Sequence, residues 1–345
     1  MGKIRHPITG QEVPQFLTDV IVPVFTPCGP GGAIDWDGFK NFVVWLRDHP
    51  AVNTLFVRCG LGKMYTYTVS DTKRAIDVTM EALDGKKQAM FGTFGEYFRN
   101  GVPSGADLSH YRTIGKNRPD PAQYFDQTLE LTEYASAHGA AASVLVVPSA
   151  LAPSRRKSVE ETVFEYYEKV SNSCDIPLFI YNTPGLPKPY NTTPQMAARF
   201  SKLRNVAGMK LSTNDLEWIT EILMMTEGAD FVMIAGSESV FYHALCAGAC
   251  GAIGQGSDIT PEILHAVFSR FMAGDYAGAL EAQKDIQRAQ HLFDRLPVPY
   301  AGLAYLSRHG LKVPLYGRFG EPPVRKSTID RIQKELDPII AKYSS

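Results

Sequence analysis

One lysine lies within an otherwise apolar run, Asn205-Val206-Ala207-Gly208-Met209-Lys210-Leu211-Ser212. Lysine is rarely placed fully inside a protein unless it is paired or put to use. Burial strips water from the ammonium, lowers its pKa and makes the neutral amine available at ordinary pH. Such an amine attacks a ketone to form a Schiff base. Taken alone, the octapeptide fits equally well a Lys210 that sits just past a strand end and points into solvent. A second residue shifts the balance. Tyr181 ends the apolar run Pro177-Leu178-Phe179-Ile180-Tyr181, and a phenol beside a Schiff-base lysine can carry protons to and from the imine or the substrate oxygen. A third feature is the turn Cys59-Gly60-Leu61-Gly62-Lys63, which follows the apolar run Thr54-Leu55-Phe56-Val57.

Other chemistry-bearing residues are weaker candidates. Ser237, Glu238 and Asp258 follow apolar runs. Glu238 is the best placed of them to meet polar groups of a substrate, although helix capping or a solvated loop explains all three as well. Arg155, Arg156 and Lys157 read as a solvated run at a helix start. His243, His265 and His291 fall in helical stretches without partners at metal-ligand spacing, so no metal is expected. Gly248, Gly251, Gly254 and Gly256 do not follow a dinucleotide or P-loop order.

The elements that must position these residues form a regular alternation. Short apolar runs predict strands at 18–26, 54–57, 88–93, 143–147, 177–181, 206–210, 231–234 and 251–254, with an amphipathic helix after each. Helix starts are marked by Asp35, by the cap candidate Ser70, by the capping box Ser158-Val159-Glu160-Glu161, and by Thr193-Pro194 and Thr260-Pro261. Eight such pairs predict a parallel (β/α)8 barrel, with an open doubly wound sheet as the alternative. Chemistry in such barrels sits at the C-terminal strand ends, where Tyr181 and Lys210 fall on neighbouring strands about 4.8 Å apart. Residues 1–15 read as an N-terminal arm and 16–274 as the barrel. Residues 97–120, rich in glycine and proline, read as an insertion. Helices near 275–294, 298–309 and 326–342 read as a C-terminal helical extension over 275–345.

Composition excludes several classes. The 345 residues carry 35 Lys and Arg against 36 Asp and Glu, so no nucleic-acid surface is indicated. No run is long and apolar enough for a membrane span, and the N-terminus lacks a signal core. Five cysteines, odd in number and without a CxxC, point to reduced thiols and a cytoplasmic protein.

The segment Ile180-Tyr181-Asn182-Thr183-Pro184-Gly185 resembles the Y-N-x-P-G motif of the dihydrodipicolinate synthase / N-acetylneuraminate lyase family. Val206-Ala207-Gly208-Met209-Lys210 resembles its V-x-G-[IM]-K motif, at the family's spacing. Gly251-Ala252-Ile253-Gly254 is similar to the strand-eight segment that lines the pyruvate pocket. The likeness covers roughly residues 16–310. It implies that Lys210 forms the Schiff base, that Tyr181 relays protons, and that Ile253 lines the pocket. It also implies a homo-oligomer, dimer or tetramer, and an enzyme needing no cofactor.

Three departures qualify the resemblance. The family's G-[ST]-T-G-E, which holds the pyruvate carboxylate, has become Cys59-Gly60-Leu61-Gly62-Lys63, so both hydroxyls are lost and an acid has become a base. The resemblance then implies that the backbone N–H groups of Gly60, Leu61 and Gly62 hold the carboxylate, as a nest does. Phe91-Gly92-Thr93-Phe94-Gly95-Glu96 mimics the motif after the wrong strand, and Thr66 or Thr68 could supply a hydroxyl. The P-Y-Y of synthases is Pro148-Ser149-Ala150, without relay tyrosines. The synthase arginine that grips the aldehyde substrate's carboxylate is Leu186. The expected activity is therefore aldol cleavage or condensation, or dehydration, of a 2-oxo acid such as a 2-keto-3-deoxy sugar acid. A non-catalytic 2-oxo-acid-binding protein and a true synthase are the alternatives.

Overall fold

The structure is a computed structural model and describes residues 2–100, 117–254, 256–294 and 300–343. Two short strands, β1 (Lys3–Arg5) and β2 (Glu12–Pro14), form an antiparallel hairpin. The sequence reads as an irregular arm here because each strand is only three residues long. Gln11 Nε2 donates to the carbonyls of Ala229 and Phe231, which fixes the hairpin beside the start of a barrel strand. Val13, Phe16 and Leu17 are buried.

The barrel strands are β3 (Asp19–Pro23), β4 (Thr54–Val57), β5 (Gln88–Gly92), β6 (Ala142–Val146), β7 (Leu178–Asn182), β8 (Val206–Leu211), β9 (Val232–Ala235) and β10 (Gly251–Ala252). All neighbours pair in parallel, and β10 pairs with both β9 and β3, so the sheet closes. The strands read as near-continuous apolar runs because both faces are covered, one by the packed interior and one by helices. The helices between them are α1 (Trp36–Asp48), α2 (Val69–Leu83), α3 (Pro121–Ala137), α4 (Val159–Ser173), α5 (Pro194–Phe200), α6 (Leu216–Met225) and α7 (Phe241–Ala247), with α8 (Pro261–Met272) after β10. On α1 the buried positions include Phe39, Phe42, Val43 and Leu46, the face expected from their spacing.

Helix caps follow the sequence with two corrections. Ser158 and Glu161 form the expected reciprocal box. In α2 the cap is Thr68, not Ser70, because Asp71 stands three residues after Thr68 and completes a box with it. Thr260 does not cap α8; its hydroxyl donates to the Gly256 carbonyl instead.

Three further helices follow, α9 (Tyr276–Phe293), α10 (Tyr300–Arg308) and α11 (Lys326–Ile340). Between α10 and α11 the chain returns to the barrel mouth. The Arg318 guanidinium donates to the carbonyls of Gly32 and Thr66 and to Thr66 Oγ1, and the Arg318 backbone N–H donates to Tyr300 Oη. This strap has no helical or strand periodicity, so the sequence gives no sign of it. Of the expected insertion at 97–120, residues 101–116 lie outside the described residues. Its flanks meet, with Arg99 N–H donating to the Asn117 carbonyl at 2.9 Å. Among the described residues no helix is long and apolar enough to cross a membrane, and all five cysteines are unpaired.

Candidate active site

Tyr181 and Lys210 are direct Cα partners across β7 and β8. Their alignment depends on an irregularity in the ladder. Leu178 pairs with Val206 but Phe179 pairs with Gly208, so Ala207 is an extra residue. Without that bulge the register would set Lys210 opposite Asn182, and a one-residue slip turns a side chain to the other face. Gly208 makes the close approach possible, since a Cβ there would lie 2.1 Å from the Val232 carbonyl oxygen.

Lys210 is 6 % exposed and Tyr181 4 %. The Lys210 Nζ stands 4.4 Å from the centroid of the Tyr181 ring, which packs edge-on against Phe56. Burial brings the Lys210 amine down to about 8, opposed by weaker attraction to Cys59 and Glu238. Burial also pushes the Cys59 thiol up to about 12. Cys59 is therefore neutral at ordinary pH and supplies no counter-charge, which leaves the Glu238 carboxylate as the acid that holds charge on Lys210.

Both residues open onto a cavity of about 800 Å³. One side of it is Pro23, Gly60, Leu61, Met64 and Tyr65, with the Lys63 side chain beside them. Across from them the lining residues are Thr183, Ser212, Thr213, Asn214 and Ser237, of which Thr213 accepts from the Asp215 N–H through its hydroxyl. Ile253 and Gly254 lie at the end of β10, and Phe319 and Glu321 of the strap stand at the mouth.

The strand-four turn is held from below. Arg58 has positive φ, as does Lys63. The buried Arg58 guanidinium donates to the carbonyls of Met64, Gly92 and Phe94, which ties the turn to the end of β5. Left-handed backbone at two bulky residues costs of order 1–3 kcal/mol each and persists only where surroundings enforce it.

The structure separates the three turn residues expected to bind carboxylate. Gly60 and Leu61 line the cavity. Gly62 does not; its N–H donates to Cys59 Sγ at 3.3 Å. A Cβ on Gly60 would sit 2.9 Å from the Tyr181 hydroxyl, so in this chain a larger residue there would press on that hydroxyl. Gly60→Ala is expected to displace that hydroxyl and lower kcat roughly 10- to 100-fold, with little change in stability. Gly62→Ala meets the Val24 carbonyl oxygen at 2.7 Å and is expected to cost about 1–3 kcal/mol in urea unfolding.

Glu238, expected to contact the substrate, is not among the cavity-lining residues. It is buried at 2 % exposure behind the loop after β10. Its Oε1 accepts from the Gly256 N–H and from Gln290 Nε2 of α9. Gly254 is required there, because a Cβ would fall on Glu238 Oε2. Glu238→Gln keeps an oxygen for both donors but removes the charge that favours the Lys210 ammonium. The expected result is a downward shift in the pH profile of imine formation with a near-wild-type Tm.

The expected Leu186 and several weaker candidates also lie outside the cavity. The Leu186 side chain is buried and is not among the cavity-lining residues. Thr68 caps α2, and Thr66 donates to the Lys63 carbonyl. Thr93 is buried in a hydroxyl cluster with Thr132 and Ser143, and Glu96 accepts from the Val69 N–H. Arg155, Arg156 and Lys157 are exposed. His265 pairs with Asp19. Ser149, which follows β6 where synthases carry a tyrosine, bonds Tyr97 through its hydroxyl, and the Tyr97 ring lies tilted at 4.3 Å from that of the cavity residue Tyr65. Among the described residues no three histidines, cysteines or carboxylates are grouped to hold a metal.

A closed parallel barrel with a desolvated lysine beside a tyrosine at adjacent strand ends defines the class of Schiff-base barrel lyases. The Dihydrodipicolinate synthetase family model matches residues 122–338, and the chain belongs to that family. It is a divergent member. A 4-hydroxy-tetrahydrodipicolinate synthase of Fervidobacterium nodosum is 25% identical over 329 residues, covering 94% of this chain and 98% of the relative. A prophage protein of E. coli K12 from the same family, solved in complex with pyruvate, superposes with a TM-score of 0.75 at 20% identity, covering 93% and 98% of the two chains. N-acetylneuraminate lyase from Mycoplasma synoviae gives 0.72 at 17% identity, covering 96% and 99%. The protein is accordingly an enzyme of the class I aldolase and lyase type.

Proposed function

We propose that Lys210 attacks the ketone of pyruvate or a longer 2-oxo acid and forms the Schiff base on which turnover depends. The observation that carries this is the amine itself, buried, held near a pKa of about 8 and facing the cavity beside Tyr181. The amine adds to the carbonyl carbon, and loss of water leaves a protonated imine. That cation withdraws electrons from the adjacent carbon, so the next C–C bond breaks to give an enamine, or forms in the reverse direction. Loss of water further along the chain begins from the same imine. Tyr181 takes and returns the proton of the substrate hydroxyl. The Gly60–Leu61 peptide receives the carboxylate, with Ile253 against the methyl end.

The substrate we propose is a hydroxylated 2-oxo acid of the 2-keto-3-deoxy sugar acid class. The hydroxyls and amide of Thr183, Ser212, Thr213, Asn214 and Ser237 match a chain of hydroxyl groups. The relatives' synthase reaction is less well supported here. The residue at the synthase arginine position is Leu186, and among the described residues no arginine lines the cavity.

Incubation with pyruvate, borohydride reduction and peptide mass spectrometry test the first step. An adduct on Lys210 is expected, forming faster as pH rises through about 8 and levelling above it, because only the neutral amine attacks. Absence of an adduct with every 2-oxo acid tried would refute the assignment. Pyruvate release from 2-keto-3-deoxy sugar acids, compared with condensation of pyruvate and a carboxylate-bearing aldehyde, then separates the two substrate classes.

A further inference from the structure

The strap between α10 and α11 is built around one tight turn. Tyr316 forms an antiparallel bridge with Cys28, and the Gly320 N–H then donates to the Gly317 carbonyl at 3.0 Å. That bond closes a four-residue turn over Gly317-Arg318-Phe319-Gly320 and leaves Phe319 at its tip. Gly320 has φ +79°, the left-handed backbone that glycine adopts without strain.

Specific contacts fix this turn on both sides of Phe319. On one side the Arg318 guanidinium is held by Gly32 and Thr66, and the Arg318 backbone by Tyr300. Gly32 leaves no room for a Cβ, which would collide with the Arg318 carbonyl oxygen. On the other side the Glu321 carboxylate accepts from the Phe319 N–H at 2.8 Å, and the Glu321 carbonyl accepts from the Gly317 N–H at 2.9 Å. A Cβ on Gly317 would collide with that carboxylate.

Phe319 is the side chain these contacts present. It is 39 % exposed and lines the Lys210 cavity. A single exposed aromatic is ordinary on a protein surface. One set at a cavity mouth on a fixed turn is a different case, because ordering a turn costs conformational entropy that its contacts must offset. The cavity has space for a partner to that ring. Its volume of about 800 Å³ is near the top of the range for small-molecule sites, and a three-carbon acid on Lys210 would fill a small part of it. Met64 and Tyr65 line the same space. Arg318 holds Thr66, the next residue after Tyr65, so that wall and the strap are fastened together.

We propose that Phe319 is a specificity-determining residue, whose ring packs against the C–H groups of the chain that a 2-oxo acid carries beyond its reacting carbons. Glu321 is the positioning residue that holds the Phe319 N–H. The inference rests on a 2-oxo acid occupying the Lys210 cavity, and it names the part of the site that reads substrate length. Apolar area covered by the ring grows with the chain, so affinity grows with it.

The test is calorimetric titration of the full chain with pyruvate, 2-oxobutyrate, 2-oxohexanoate and 2-oxooctanoate, run beside borohydride trapping on Lys210. Affinity is expected to rise about tenfold or more from pyruvate to 2-oxooctanoate. Phe319→Ala should remove most of that rise, weakening 2-oxooctanoate about tenfold and pyruvate less than about twofold, with the urea midpoint unchanged. Phe319→Tyr should restore it. Glu321→Ala should lose part of the rise, whereas Glu321→Gln, which keeps an acceptor oxygen, should behave as the parent. That pair carries the test if Phe319→Ala does not fold. On 2-keto-3-deoxy sugar acids Phe319→Ala should raise KM and leave kcat nearly unchanged. A length dependence untouched by Phe319→Ala, or equal losses for pyruvate and 2-oxooctanoate, would overturn the proposal. Length-dependent binding that Phe319→Ala abolishes, without any adduct on Lys210, would uphold the role of Phe319 and refute the imine instead.

Discussion

Lys210→Met is expected to lower turnover by at least about 10⁴-fold, because removing a nucleophile removes the covalent route altogether. The same substitution should make the protein more stable. The folded-state pKa of Lys210 is about 8 against an ordinary 10.5, so between those values the unfolded chain binds more protons than the native one. Stability of the parent therefore rises with pH across that window, and at neutral pH the buried ammonium costs about 3 kcal/mol. Methionine fills a similar volume without the charge. Allowing for the lost contact with the Tyr181 ring, a net gain of about 2 kcal/mol and a few degrees in Tm is expected. Urea unfolding at pH 7 and pH 10.5 checks the sign, since the advantage of the variant should shrink at the higher pH. A variant that is both inactive and less stable at pH 7 would contradict a buried, functional amine.

Tyr181→Phe is expected to reduce kcat by about 10²- to 10³-fold while leaving the Schiff base able to form. The ring keeps its packing against Phe56 and its place over Lys210, so only the hydroxyl is lost. Single-turnover measurements distinguish this from a binding defect. Borohydride should still trap pyruvate on Lys210 at close to the parent's extent, whereas cleavage of a sugar-acid substrate should become slow. An equal loss in trapping and cleavage would mean that the hydroxyl positions the substrate and does not move the proton.

The eight-fold alternation was legible because parallel strands buried on both faces leave unbroken apolar runs, and because the helices between them carry caps and a single buried stripe. The pairing of Tyr181 with Lys210 was legible for the same reason: both end such runs. What set them in register was not. The bulge at Ala207 leaves no mark in composition, since Ala207 and Gly208 read as ordinary strand residues. The hydrogen bonds of Glu238 were not legible for a related reason. Its position after a strand suggests a contact with substrate, but its carboxylate is claimed by Gly256 and by Gln290, a residue 52 positions away. Leu186 and Gly62 were likewise given cavity roles by their neighbours in the chain, whereas packing turned Leu186 inward and Cys59 took the Gly62 N–H. Tyr65 could have been found, since it follows the Gly60 turn by five residues. Phe319 and Glu321 could not, because nothing local in the strap indicates where it returns.

That return has a consequence for the order in which the protein is made. The amine, the phenol and the Gly60 turn have all emerged by the time residue 254 is synthesised. The mouth of their cavity still lacks Phe319 and Glu321, and the turn above Thr66 still lacks its tie to Arg318. A nascent chain thus carries its reactive amine through the synthesis of more than sixty further residues before the last of the wall arrives. Completion of the chamber thus waits on residues that follow the barrel in the chain.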